Sequence, residues 1–424
     1  MFRLNLLPVF LLLVCLLALL GLAQPAQAGA TFNVNTTADT VDSNPGDGIC
    51  RDSSYACSLR AAIMEANALG GSSAHWIFLW PGRTHTLSLD TDGGGHMIDA
   101  GDSTDDLDIT ANIVIMGNFA TIQRTGSCNI EDGIAATGEF RIFEVHSGGS
   151  LTLRDVTVRD GCADGSGENG GGIAVAGGGE LTVSNSTLAG HRARNMGGGI
   201  YSNGTVTIEN SAIASNSAVS NGGGVLNGLG VTMTIRNSTF SGNTAGNAGG
   251  GIHNYGTLTV INSTFSGNSA TFGGGIVNDL GTTKLSFVTV AENSGRGIRV
   301  LGGSTLQIRH SIVAKNTGGN CLLIKGGTFT PSGNNFADDN TCSGFASLTP
   351  GTLGPLAGNG GATQTHALLP GSQARNAASD CQDLEGNTVP SDQRGVPRPQ
   401  PAGGACDAGA YEAQVQVYLP LIAR

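Results

Sequence analysis

Apolar and polar residues alternate along most of this chain with the period of a short strand. From about residue 170 to 316 the alternation itself repeats. In one copy Leu258, Val260 and Phe265 are the apolar positions, and Gly, Asn and Ser bound them. A Gly-Gly-Gly-aliphatic element recurs at Gly170, Gly197, Gly222, Gly249 and Gly273 and decays at Gly295, with spacings of 27, 25, 27, 24 and 22 residues. A period in this range belongs to one supersecondary unit stacked on its neighbours. No copy holds the run of about ten residues at helical spacing that a helix needs. Short strands joined by Gly and Asn corners predict one coil of a parallel β-helix per copy, each pairing with the next at about 4.8 Å. The Leu-x-x-Leu-x-Leu frame of leucine-rich repeats and the longer aromatic units of propellers are both missing. The glycine runs read as corners that need positive φ, because an aliphatic residue follows them in register.

Aligned copies form columns. One holds Asp155, Asn185, Asn210, Asn237, Asn262, Phe287 and His310; six residues later comes Gly161, His191, Asn216, Asn243, Asn268, Asn293 and Asn316. Asn tolerates the left-handed conformation of a tight corner, and stacked amides can bond to one another up the coil. Both Asn columns are therefore expected to form a structural ladder, with a ligand-binding ladder as the alternative. Leu188, Ile213, Phe240, Phe265, Val290 and Val313 are expected to stack inside the coil. Thr187, Thr239, Thr264 and Thr289 are expected to point outward, where an ordered Thr row offers a surface for ice or glycan.

The ends differ from the repeat. Arg3, the apolar run from Leu11 to Leu22 and Ala26-Gln27-Ala28 read as a secretory signal over residues 1–28. Ser58 is a good N-cap for a short helix whose apolar face is Leu59, Ala62, Ile63 and Ala66. That helix is expected to cover the open strand edges at the bottom of the coil. Trp76-Ile77-Phe78-Leu79-Trp80 alternates and holds both Trp residues. Core packing under the helix and an aromatic platform for sugar are the two readings. The expected organisation is an N-terminal cap over 29–80, the β-helix over 81–345, a C-terminal cap over 346–412 and an apolar tail over 413–424.

Composition narrows the function. The formal net charge is -11, or about -12 once Arg3 is removed with the signal, which argues against nucleic acid as a partner. No segment of the mature chain is long enough to span a bilayer, so an exported, secreted or surface-attached monomer is expected. Of nine Cys, Cys15 leaves with the signal. The other eight fall in local pairs, Cys50 and Cys57, Cys128 and Cys162, Cys321 and Cys342, Cys381 and Cys406, as disulfide candidates. None lies between Ala163 and Asn320, so the bridges are expected to staple the ends. Asp39, Asp42, Asp47 and Asp52 are candidate Ca²⁺ ligands, with a solvated turn as the alternative; no other cofactor is expected.

Two resemblances follow from the ends. Cys57-Ser58-Leu59-Arg60 and Ala62 resemble the CSLREA motif of exported bacterial proteins, with Ala61 in place of the Glu. The runs Gly354-Pro355-Leu356, Thr365-His366-Ala367-Leu368, Asp392-Gln393-Arg394-Gly395 and Cys406-Asp407-Ala408-Gly409-Ala410-Tyr411-Glu412 resemble the choice-of-anchor Q domain. Phe240-Ser241-Gly242-Asn243 and Phe265-Ser266-Gly267-Asn268 are similar to polymorphic outer-membrane protein repeats. These resemblances imply an all-β chain, a right-handed parallel β-helix of the pectate-lyase-like kind with a short capping helix and a disulfide-bearing C-terminal cap. They imply a location better than a reaction.

The expected function is a non-catalytic adhesion, structural or glycan-contact role at the cell surface, in which a rigid stack offers repeated weak contacts. The alternative is a polysaccharide lyase or glycoside hydrolase, which needs carboxylates on one face over adjacent coils. Between Asn169 and Gly318 only Glu180, Glu209, Asp279 and Glu292 are acidic. Catalytic candidates therefore sit earlier: Asp102, Asp105, Asp106 and Asp108, or Asp155, Asp160 and Asp164. His366, Asp392, Arg394, Asp407 and Glu412 would supply an acid, a base and an anion clamp, or else a buried ion pair and turns. No catalytic residue is assigned.

Overall fold

The computed structural model describes residues 28–89, 105–130, 139–165 and 167–414. The expected signal with Cys15, the candidate Asp102 and the tail from Val415 onward fall outside them. The chain winds into a parallel β-helix whose coils contribute the same short strands in turn. Thr257–Ile261 and Thr264–Ser266 belong to a long sheet, Ile252–Asn254 to a second sheet and Ser269–Phe272 to a third; among the described residues these sheets have 20, 9 and 5 strands. Each strand pairs in parallel with its counterpart one coil on, as Leu258 with Thr283 and Val260 with Leu285.

Alternation drives this packing. Leu188, Ile213, Phe240, Phe265, Val290 and Val313 stack along the interior with no solvent exposure, and the Phe240 and Phe265 rings lie 4.8 Å apart. One apolar core runs from Phe32 to Cys342. The glycine corners are required twice over. Gly222 has φ +68, and a Cβ on Gly223 would lie 2.5 Å from the Thr244 carbonyl oxygen.

The two Asn columns do different jobs, which corrects the single ladder. Asn216, Asn243, Asn268, Asn293 and Asn316 are buried and bonded amide to amide. Asn216 Nδ2 donates to Asn243 Oδ1 at 3.0 Å, Asn243 Nδ2 to Asn268 Oδ1 at 2.9 Å, and the chain continues through Asn293 to Asn316. Asn185, Asn210, Asn237 and Asn262 instead hold φ near +50, the left-handed corner, as do Asp155, Phe287 and His310. Asn185 is exposed and Asn210 and Asn237 half-buried, while Asn262 is buried and its Nδ2 donates to the Ser391 carbonyl of the C-terminal segment at 2.7 Å. The six-residue offset puts one column on the turning backbone and the other inside it. A further ladder, Asn227 to Asn254 to Asn278, runs up the second sheet.

At the N-terminal end α1 (Leu59–Leu69) lays Leu59, Ala62, Ile63 and Ala66 on the core. The Ser58 hydroxyl accepts from Ala61 N at 3.0 Å as the cap. Disulfides join Cys50 to Cys57, Cys128 to Cys162, Cys321 to Cys342 and Cys381 to Cys406.

The C-terminal segment lies along the flank of the coil. Thr239 Oγ1 donates to the Gln364 carbonyl at 2.6 Å, Thr264 Oγ1 to Gln393 Oε1 at 2.7 Å, and Thr289 Oγ1 accepts from Ala410 N at 3.0 Å. Thr239, Thr264 and Thr289 are thus buried under it. Three of the four Thr of that row are therefore a docking strip rather than an open surface for ice or glycan, and only Thr187 stays half-buried.

Candidate functional site

Several candidate residues are committed to structure. Asp39 pairs with Arg60 at 2.7 Å, Asp42 accepts from Asn44 N and Arg51 N, and Asp47 pairs with Arg51 at 2.9 Å. Asp52 accepts from Ser54 and Ala56, and the Ser54 hydroxyl leads in holding its carboxyl down to about 2. Asp42, Asp47 and Asp52 each close a local turn while Asp39 ties Arg60 to the backbone of Ser88 and Leu89, so the four do not converge as Ca²⁺ ligands. Among the described residues no group of three or more His, Cys, Asp or Glu is arranged to hold a metal.

The C-terminal set is likewise structural. Asp392 pairs with Arg394 at 2.6 Å and Glu412 with Arg398 at 3.0 Å, all buried. Asp407 accepts from Asn376 N and Ala413 N, while His366 bridges Ser266 Oγ at 2.9 Å and the Gly354 carbonyl at 2.7 Å. Asp155 and Asp160 hold left-handed corners, and Asp164 lies 3.9 Å from Arg194. These residues do not assemble into an acid, a base and a clamp.

Two features remain outside that framework. The first is aromatic. His75–Phe78 alternates with Ile77 inward, so Trp76 and Phe78 point out, and Trp80 follows two residues on. Trp76 is 38% and Trp80 49% exposed, so core packing under the helix is overturned. The Trp76 and Phe78 rings are stacked 6.4 Å apart, and the Arg83 guanidinium lies 5.6 Å from the Trp80 ring. Gly82 N donates to the Asn118 carbonyl on the adjoining coil, next to Phe119. Phe119 is 82% exposed at φ +64. A bulky residue in the left-handed region costs about 1–3 kcal/mol, and such strain clusters at functional sites. In register with Trp76, a row continues through buried Val114 and then the half-buried Thr152, Thr182, Thr207, Thr234 and Thr259.

The second is charged. Asp108 and Glu144 are in register on the second sheet. Arg141 pairs with Glu144 and lies 3.4 Å from Asp106 Oδ2; His146 Nε2 is 2.6 Å from Asp108 Oδ1. Arg60 on α1 holds the loop by donating to the Asp105 and Asp106 carbonyls. Burial pushes the Asp106 carboxyl well above the usual range, against the pull of Arg141, which favours its protonated form. The hydrogen bond from Asp108 raises His146 and favours its cation. Arg141, Glu144, Glu168, Asn169, Tyr201 and Asn203 line a cleft of about 340 Å³ beside this cluster. Arg141, Glu144 and Glu168 escaped sequence reading. Asp108 and Glu144 stand 36 residues apart, well beyond the repeat period, and only a coil register reveals them as neighbours.

Residues 171–347 match the family model described as a right handed beta helix region. The fold is a right-handed parallel β-helix. No curated protein matches this β-helix. Among solved structures, pectate lyase Pel9A is similar at 15% identity and a TM-score of 0.47, over 91% of this chain and 98% of that one. Among the described residues no helix is long and apolar enough to cross a membrane.

Proposed function

We propose that this protein acts outside the cell as a monomeric, rigid surface that holds polysaccharide without cleaving it. The observation that carries this reading is the line of exposed Trp76, half-buried Phe78 and exposed Trp80 along the strand His75–Phe78 and just past its end. Flat aromatic faces spaced along a strand suit successive sugar rings, which stack their C–H faces on aromatic side chains and need no deep pocket. The adjacent Thr row offers hydroxyls as donors and acceptors to sugar hydroxyls. Four disulfides support an oxidising, extracellular setting.

A second reading, hydrolysis or elimination of a polysaccharide, is favoured by one observation: Asp106, whose carboxyl burial pushes up, lies beside the Arg141–Glu144 pair. Two carboxyls in unlike environments are the arrangement acid–base chemistry uses. Binding is preferred because Asp106 is buried behind Arg141 and is not among the residues that line the cleft. A glycan array with the purified protein, followed by product analysis, separates the two. Retention of a glycan with no shortened or unsaturated product is expected; turnover would replace the first reading by the second.

A further inference from the structure

The outward face of the long sheet carries a second ordered feature beyond Trp76. Thr205 and Thr207, Thr232 and Thr234, and Thr257 and Thr259 flank the buried Val206, Met233 and Leu258 on successive strands. These strands pair without a register shift, Thr207 with Thr234, Thr232 with Thr257 and Thr234 with Thr259. The six side chains form two parallel columns, about 7 Å apart along a strand and repeating at about 4.8 Å from coil to coil. Thr205, Thr232 and Thr257 are exposed and their partners half-buried. Among the described residues no protein group bonds these six hydroxyls, whereas those of Thr239, Thr264 and Thr289 are taken up by the C-terminal segment. The β-branched Thr side chain is stiff at χ1, so the array is ordered before a ligand arrives and loses little rotamer freedom on contact.

Direction and charge decide what fits. The aromatic line of Trp76, Phe78 and Trp80 runs along a strand. The Thr columns run across the strands, and one of them is in register with Trp76 through Val114, Thr152 and Thr182. A single sugar chain follows one of these directions. A ligand that meets both is extended in two dimensions and repeats its hydroxyls in each. The face also disfavours ionic polymers. From Ser150 and Thr152 up to Thr257 and Thr259, Glu180 is the one charged residue in the two columns. In the column beyond them Glu209 lies opposite Arg236 on the next coil, so no single sign of charge accumulates for a uronate or ammonium polymer. Each hydroxyl contact is weak, and many held together in one array add as avidity.

We infer that this face of the long sheet binds the flat surface of an ordered, uncharged polysaccharide, with the aromatic line and the Thr columns touching several neighbouring chains at once. The inference rests on the reading that Trp76, Phe78 and Trp80 hold polysaccharide, and it fixes the ligand as a solid surface rather than a dissolved chain.

The test is adsorption of the full chain to microcrystalline cellulose and to chitin powder, compared with calorimetric titration by the soluble oligomers of the same two sugars. One powder is expected to be held at least about tenfold more tightly than its own soluble oligomer. Thr232→Lys/Thr257→Lys places charge at two exposed positions and should weaken adsorption by about tenfold, with oligomer binding on the aromatic line unchanged. Thr234→Val/Thr259→Val keeps side-chain shape and removes two hydroxyls; it should weaken adsorption in the same direction and serves if the Lys pair fails to fold. Trp76→Ala should weaken powder and oligomer binding alike. Equal affinity for powder and oligomer, or full adsorption by a folded Thr variant, overturns the surface assignment and leaves stacking on the aromatic line standing. Enrichment of the protein in growing ice with no adsorption to either powder assigns the Thr columns to ice and overturns it as well. If no glycan of any form is held, the broader reading fails with it.

Discussion

Replacing Asn243 by Leu removes an inner rung of the buried amide ladder. Asn243 Oδ1 accepts from Asn216 N at 3.1 Å and from Asn216 Nδ2 at 3.0 Å, and its Nδ2 donates to the Ile213 carbonyl at 2.8 Å and to Asn268 Oδ1 at 2.9 Å. Leu has nearly the same shape and none of these groups. Asn216 Nδ2 keeps the Leu188 carbonyl at 3.2 Å, but Asn216 N–H is left without an acceptor where solvent does not reach. An orphaned buried group costs about 1–3 kcal/mol, and the weakened Ile213 and Asn268 groups add to it, so about 3 kcal/mol is expected. The control is Asn237→Ala in the other column. There the side chain is half-buried and only the left-handed corner is at stake, worth about 1 kcal/mol. Urea unfolding compares the two, and hydrogen exchange at the Asn216 amide localises the effect. Because coils interact mainly with their neighbours, the loss should concentrate around Asn216 to Asn268. If Asn243→Leu costs no more than Asn237→Ala, the ladder does not stabilise the coil as argued.

Other outcomes are equally specific. His191 ends the ladder with a neutral ring, and burial lowers its pKa from 6.5 to about 3. Below pH 6.5 the unfolded chain takes up a proton that the folded chain refuses, so stability present above 6.5 is lost on acidification toward 3, on the order of 3 kcal/mol by pH 4. His191→Asn should abolish that part of the pH dependence, and identical acid-unfolding curves for both proteins would refute the assignment. Gln393 Nε2 bonds Thr239 and Thr363 at 2.7 and 2.8 Å while its Oε1 accepts from Thr264. Gln393→Ala should loosen the C-terminal segment by about 2 kcal/mol and speed its limited proteolysis; an unchanged digestion pattern would contradict flank docking.

The coil was legible because its determinants are local and repeated. Gly222, Phe240 and Val260 each recur in register, and period plus alternation define strands, corners and the interior. Column function was less legible, since the same residue type serves two environments. Asn237 and Asn243 stand six residues apart, yet one sets a backbone conformation and the other satisfies buried amides. The Asn227–Asn254–Asn278 ladder was missed because it follows the aliphatic strand of the second sheet, where no corner motif marks it. Burial of Thr264 depends on a segment 129 residues away, a long-range contact that no local pattern carries. The Trp residues were ambiguous for the same reason: alternation says that Trp76 opposes Ile77, and only packing says which side faces water. Arg141, Glu144 and Glu168 lie where the repeat is irregular, so their convergence needs the register of strands separated by long connections.

The most direct test of a polysaccharide platform is the Trp76→Ala/Trp80→Ala double variant, assayed against whichever glycan the unaltered protein retains best. Aromatic faces that stack on sugar contribute about 1 kcal/mol each beyond their buried area, so affinity should fall by about tenfold or more while the unfolding midpoint stays within a few degrees. Undiminished affinity in a folded double variant would contradict the platform.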